Sequence, residues 1–279
     1  MKYKYITPGG YKWAFWQKVL ESPHTLIAGA TGSGKSVLLN SVLFNALLDS
    51  PADRKLILID LKRVELADYK QLPHTLYYAD DPQSAVYAVR LAREIIERRF
   101  LEMQALSRPG KSVKEYTGAH IYVVIDEYAD LITTVGKQVE SDLVRISQIG
   151  RAARVHLIVC TQRPTREIIT GRIKVNLDAR IALRTATAQD SRNIIERSGA
   201  ELLPRYGESL FLQYGYITRA QVPKTPESDM QARINYWLYN PQAVQLIPDA
   251  IPPAVPPAIP DGKKRKRKWF NIELPAINR

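Results

Sequence analysis

The octapeptide GATGSGKS, Gly29 to Ser36, sits between a strand-forming run, His24 to Ala28, and a long apolar segment, Val37 to Leu48. Polar breaks at Asn40, Ser41 and Asn45 suit that segment to a helix buried on most sides. Strand, glycine-rich turn and helix, in that order, leave few folds open. The glycines let successive backbone N–H groups turn inward around phosphate oxygens, and the helix N-terminus adds a partial positive charge. This is the Walker A phosphate-loop pattern in its proper context. It assigns Gly29, Ala30, Thr31, Gly32, Ser33, Gly34, Lys35, Ser36 and Val37 to nucleotide binding. Within it, Lys35 reaches the β- and γ-phosphates and the Ser36 hydroxyl ligates magnesium. ATP and Mg2+ are the expected cofactors.

Further strand-like runs follow at Lys55 to Asp60, Thr75 to Tyr78, His120 to Asp126, Val155 to Thr161 and Arg180 to Leu183. Between them lie helical patterns, one from Pro82 to near Arg108, one from Val139 to Ala153 and one from about Gln189 to Ser198. Such alternation signals an α/β fold, with a central, mostly parallel sheet and helices on both faces. Runs such as LILID, IYVVID and HLIVC are apolar almost throughout, as interior strands covered on two sides must be. Ser209 to Leu212 and Ile217 to Val222 read as a C-terminal antiparallel hairpin turning at Tyr214 and Gly215 and closing the sheet edge.

The run HIYVVIDE, His120 to Glu127, ends in two carboxylates at the strand end where ligands of open α/β sheets bind. This matches Walker B. Asp126 would hold magnesium through water, and Glu127 would orient and polarise the attacking water. Gln162, in the Thr161 to Pro164 segment after the next strand, is either a reporter of the γ-phosphate or a polar cap on that strand. His24, His74, His120 and His156 have no cysteine or histidine at ligand spacing, so no metal beyond magnesium is expected. Cys160, on a buried strand, is a small core residue, and as the single cysteine it forms no internal disulfide.

The 279 residues suffice for one sizeable folded domain, 24–240, after a lead-in, 1–23. From 241 a proline-rich linker and basic tail follow, 241–279, expected to be disordered. The run Lys263, Lys264, Arg265, Lys266, Arg267 and Lys268 holds six of the +12 net charges. It is either a DNA-binding segment or a solvated terminus. Trp269 to Leu274 is either a docking peptide for a protein partner or a functionally silent end. No apolar stretch approaches the ~20 residues that span a bilayer, so a soluble, cytoplasmic chain without an integral membrane segment is expected.

The stretches PHTLIAGATGSGKSVLLNSVL, LILIDLKRVELADYKQLPHT, YVVIDEYADLITTVGKQVE, RAARVHLIVCTQRPTREIITGRIKVNLDARIAL and DSRNIIERSGAELL resemble the FtsK/SpoIIIE family of DNA translocases, within the HerA/FtsK branch of P-loop ATPases. They cover roughly His24 to Pro223 in the family's order. The resemblance implies a RecA-like motor that hydrolyses ATP and moves double-stranded DNA through a homo-hexameric ring. It also implies that Arg151, on the helix before the sensor strand, is a finger into the neighbouring subunit's ATP. Arg192 is a second candidate, and for each a salt-bridged or solvated helix position is the alternative. Asp60, Lys62 and Glu65 match the segment after the family's second strand, either as structural ion pairs or in contact with DNA. Against the full-length pattern, the expectation is a motor without the membrane-spanning N-terminal region and without the winged-helix domain. A stand-alone motor of a mobile element, serving transfer, packaging or segregation, is the resulting expectation. A replication helicase and a nucleotide-switched DNA-binding adaptor are the alternatives.

Overall fold

The computed structural model describes residues 4–6, 19–109, 112–222 and 224–240. Among the described residues nine strands form one sheet: β1 (Lys4–Ile6), β2 (His24–Ala28), β3 (Arg54–Ile59), β4 (Thr75–Ala79), β5 (His120–Ile125), β6 (Val155–Thr161), β7 (Ala179–Ala182), β8 (Glu208–Gln213) and β9 (Tyr216–Gln221). Their order is β1-β9-β8-β7-β2-β6-β5-β3-β4. All pairings are parallel except those of β8 with β7 and β9. The expected α/β architecture and the C-terminal hairpin are both present. The hairpin does not close the edge, however, because β1 lies parallel outside β9. Three residues are too few to carry a legible strand period.

The helices are α1 (Lys35–Ala46), α2 (Pro82–Leu106), α3 (Tyr128–Val135), α4 (Lys137–Ile149), α5 (Gly171–Lys174), α6 (Ala188–Ile195) and α7 (Glu227–Tyr239). Residue alternation along each central strand divides the apolar side chains between two cores. Ile57, Ile59, Leu157 and Val159 face one, and Leu56, Leu58, Ile158 and Cys160 face the other. Helices α2, α3, α4 and α6 cover the first core, and α1 and α7 cover the second. Burial on both sides is why these strands are apolar without interruption.

Local chemistry sets the helix ends. Asp81 caps α2 by accepting from the N–H groups of Gln83 and Ser84 at 2.8 and 3.0 Å, and Pro82 opens the helix where no donor is needed. Helix α4 stops at Ile149, short of the expected Ala153, because the chain must reverse into β6 at once. Gly150 accepts from Val155 N at 2.9 Å, and a Cβ there would lie 2.4 Å from the Val155 carbonyl oxygen. Helix α6 likewise ends early, where Glu196 takes a left-handed φ of 62°. Helix α7 escaped the sequence reading. It is held by buried Ile234 and Trp237, whose Nε1 donates to the Leu47 carbonyl at 2.8 Å past the end of α1.

Four histidines lie at or near the start of strands, away from the phosphate loop. Parallel register brings the His120 Nδ1 and His156 Nε2 atoms within 2.9 Å, a neighbour relation that spacing along the chain cannot reveal. Among the described residues no group of three histidine, cysteine or acidic side chains could hold a metal. Burial pushes His24 down to about 3, and His74 and His156 each to about 4. Above the unfolded value near 6.5, folded and unfolded chains bind the same protons at these sites. Below it the unfolded chain takes up protons that the folded one refuses, so stability falls with pH. Each of the three should cost about 1 kcal/mol per pH unit below 6.5. Urea unfolding midpoints at pH about 7 and about 5.5 should therefore differ clearly; equal midpoints would contradict the buried neutral histidines.

Candidate nucleotide site

Parallel register aligns Ala28 of β2 with Thr161 of β6 and Ala182 of β7, and Ile125 of β5 with Val159. The residues just beyond these strand ends therefore meet at one edge of the sheet. From β2 the chain enters the phosphate loop. Ala30 N donates to the Arg184 carbonyl at 2.8 Å and Ser33 N to the Ala30 carbonyl at 3.0 Å, fixing the loop against the end of β7. Gly34 caps α1 with a φ of 94°, a backbone state that a side chain would strain. Gly29 is required for a different reason. A Cβ there would lie 2.6 Å from Ser33 Oγ and 2.7 Å from Leu183 Cβ.

Lys35 is buried, and its Nζ donates to Asp126 Oδ1 at 2.5 Å and to the Asp126 carbonyl at 2.9 Å. Burial opposes its charge, but the carboxylates of Asp126, through charge and hydrogen bond, and of Glu127 help to raise its pKa above the ordinary lysine value. Cys160 is itself pushed up to about 12 by burial, so it stays a thiol at neutral pH, in keeping with its reading as a core residue. The ammonium is thus a fixed cation beneath the loop.

Glu127 lies beside Asp126, buried, and accepts from Thr161 Oγ1 at 2.5 Å and from Gln162 N at 2.9 Å. The Gln162 side chain in turn accepts from Thr31 Oγ1 at 2.7 Å. A continuous polar path therefore runs from the phosphate loop through Gln162 to Glu127. Ser36 Oγ donates to Glu65 Oε1 at 2.5 Å. Asp60, completely buried, accepts from Leu66 N at 2.9 Å, and Lys62 pairs with Asp130 at 3.0 Å.

The arrangement fits a phosphate chain and a divalent cation. Ser33 Oγ is buried with no hydrogen-bond partner among the described residues, the loop excludes a Cβ at Gly29, and Lys35 brings a buried positive charge. Ser36 and Asp126 supply the oxygen donors that a hard cation prefers. The sequence reading assigned Glu65 no place here, and it passed over Thr161, Arg184 and Arg205. Arg184 and Arg205 line a cavity of about 350 Å³ together with Ala30 to Ser33, and the Arg205 guanidinium lies against Gly32. No motif marks these residues, because each reaches the loop only through the neighbouring strand order.

The proposed fingers lie elsewhere. Arg151 is exposed in the turn before β6, so the seven-residue length of that strand, roughly 20 Å, separates it from its own phosphate loop. Arg192 is exposed on α6, and its guanidinium faces Gln189 Oε1 at 3.4 Å. The basic run Lys263 to Lys268 and the Trp269 to Leu274 peptide lie outside the described residues. No helix among the described residues is long and apolar enough to cross a membrane.

The sequence model of the FtsK/SpoIIIE family matches residues 11–119 and 112–166. The chain is 38% identical over 228 residues to the DNA translocase FtsK of Helicobacter pylori (strain ATCC 700392 / 26695), covering 77% of this chain and 26% of that protein. It is 38% identical over 253 residues to the DNA translocase FtsK of Staphylococcus aureus (strain Mu50 / ATCC 700699), covering 82% of this chain and 32% of the other. It thus spans between a quarter and a third of the length of these relatives. Among solved structures, the pCW3 conjugation coupling protein TcpA, in a monomer form with ATPγS, superposes with a TM-score of 0.65 at 25% identity, over 78% of this chain and 65% of that one. The cytoplasmic domain of the type VII secretion ATPase EccC from Thermomonospora curvata shares the fold, with a TM-score of 0.65 at 22% identity over 78% of this chain and 28% of that one.

Gly29→Ala should leave the chain folded but force the loop backbone away from Leu183 and Ser33. Binding of a fluorescent ATP analogue is expected to weaken by roughly tenfold or more, about 1.4 kcal/mol. Wild-type affinity in that variant would mean that the loop does not cradle phosphate in the described geometry.

Proposed function

The chain belongs to the FtsK/SpoIIIE family, and on that premise we propose that it is an ATP-hydrolysing motor that moves double-stranded DNA. The observation that carries the reading is the polar path Thr31–Gln162–Glu127 beside the Lys35–Asp126 pair. It joins the phosphate loop to a carboxylate positioned to orient water. A phosphate cradle alone would support only binding; Glu127 adds the means of hydrolysis.

In this reading Lys35 exchanges its contact with Asp126 for the oxygens of the β- and γ-phosphates. Asp126 is then available, with Ser36, to hold hydrated Mg2+, which would neutralise charge building up across the phosphates. Ser33 Oγ and the loop amides complete the cradle. Glu127 receives a water and turns it toward the terminal phosphate, while Thr161 and the Gln162 amide hold the carboxylate in place. Gln162 links that carboxylate to the loop, so loss or gain of the terminal phosphate would be felt along the same path.

Arg151 stands exposed at the far edge of the sheet, a position compatible with contact to a neighbouring subunit in a ring. It is remote from its own phosphate loop, so a role in phosphoryl transfer requires a neighbouring subunit, and a homo-hexamer is the proposed assembly. Arg192 is retained as a second candidate for that role. Likeness to a conjugation coupling protein at 25% identity favours movement of a mobile element's DNA over replication. The basic run Lys263 to Lys268 is proposed to add salt-sensitive phosphate contacts.

Linear duplex DNA should stimulate ATP turnover, and the protein should displace a third strand from intact duplex. Turnover unchanged by any nucleic acid would defeat the motor reading, and unwinding of forks without triplex displacement would favour a helicase. Glu127→Gln should retain nucleotide binding with turnover lowered about a hundredfold or more. Function in cells that persists in that variant would favour the adaptor.

For Arg151, mixing tests the ring directly. Arg151→Ala subunits should be almost inactive alone but should regain turnover when mixed with Lys35→Ala subunits, because some interfaces then hold one intact loop and one intact arginine. Absence of any recovery in co-assembled mixtures would count against a finger in trans.

A further inference from the structure

We propose that Glu65 is a positioning residue for the divalent cation of the nucleotide site, acting through Ser36 without touching the cation; the inference rests on the nucleotide reading above. Ser36 Oγ donates to Glu65 Oε1 at 2.5 Å, at the short end of hydrogen bonds from a hydroxyl to a carboxylate. A hydroxyl that lends a lone pair to a cation keeps its proton, and repulsion turns that proton away from the positive charge. The proton then needs an acceptor on the far side. Asp126 is poorly placed to supply one, because in the nucleotide reading above it would itself hold the hydrated cation, on the side from which the proton is turned away. Glu65 supplies it, and the negative charge of the carboxylate makes the Ser36 oxygen a better donor to the metal.

The position of Glu65 is built into the fold. Beyond β3 the chain closes a tight loop, with Arg63 N donating to the Asp60 carbonyl at 3.1 Å and Leu66 N to Asp60 Oδ2 at 2.9 Å. Asp60 is fully buried, so this staple is shielded from water. A single 3-10 turn, Ala67–Tyr69, follows, and the Tyr69 hydroxyl donates to Asn40 Oδ1 at 2.7 Å. Ser36 and Asn40 stand four residues apart on α1 and so share one helix face. The segment from Asp60 to Tyr69 therefore grips that face at two successive turns, and the first grip is the Ser36–Glu65 hydrogen bond. Neither an ion pair nor a DNA contact is needed to account for an acidic residue at this position.

The test uses the full chain carrying Glu127→Gln, so that nucleotide is held without turnover. Binding of a fluorescent ATP analogue is followed as Mg2+ is titrated, and again in EDTA. Glu65→Ala should raise the half-saturating Mg2+ concentration about tenfold and leave affinity in EDTA unchanged. Glu65→Gln, whose amide oxygen still accepts from Ser36, should restore most of the metal response. Glu65→Leu fills the space without an acceptor and should behave as Glu65→Ala, which keeps the test open if the alanine variant folds poorly. Ser36→Ala should itself raise the Mg2+ requirement, and adding Glu65→Ala to it should change nothing more.

An unshifted Mg2+ requirement in both Glu65→Ala and Glu65→Leu would overturn the proposal. So would a full additional loss on top of Ser36→Ala, since Glu65 would then act independently of Ser36. Failure of the parent protein to bind nucleotide at any Mg2+ concentration would instead remove the reading on which the proposal stands.

Discussion

A buried lysine–aspartate pair holds the site together. Lys35 lies in the first turn of α1 and Asp126 just past the end of β5; β3, β4 and α2 separate them in sequence, and β6 lies between β2 and β5 in the sheet. Taking both charges out of water is costly, and removing either partner would leave the other uncompensated in the interior. Such a pair is poor evidence for stability, and in the proposed function its two members exchange partners. A phosphate chain offers Lys35 the same negative charge, and a cation offers Asp126 the same positive one. Around this pair every other polar contact at the edge has a place. Glu127 is tied to β6, Gln162 to the phosphate loop and Ser36 to Glu65.

The two edges of the sheet have different chemistry because parallel strands all point the same way. The edge at the strand ends gathers carboxylates, the lysine and the glycine loop. The opposite edge gathers His24, His120 and His156, held neutral by burial, together with the exposed Arg151. Within one subunit these edges cannot meet, since the intervening strands are rigid and covered on both faces. An arginine on the far edge can serve phosphoryl transfer only if another copy brings it.

Much of the fold was legible because the strands are short, apolar and regularly spaced. Asp81 and Pro82 marked the start of α2 within a residue, since capping chemistry is local. The end of α4 was overrun because Ala152 and Ala153 are good helix formers, whereas the stop is imposed by contact between Gly150 and Val155. Helix α7 was missed because what secures it, Trp237 against Leu47 and His74, lies far away along the chain. Strand β1 was missed because three residues show no period, and its partner β9 is more than two hundred residues distant.

The same division runs through the site. The residues 29–36 and the pair Asp126–Glu127 were evident from the amino-acid sequence, because phosphate binding needs consecutive backbone amides and the acidic pair follows its own strand directly. Those requirements are met within a few residues, so they leave a linear pattern. Glu65, Thr161, Arg184 and Arg205 leave none. Their relation to the phosphate loop is set by which strands lie side by side and in what register, a matter of hydrogen bonds between segments that only the folded sheet brings together.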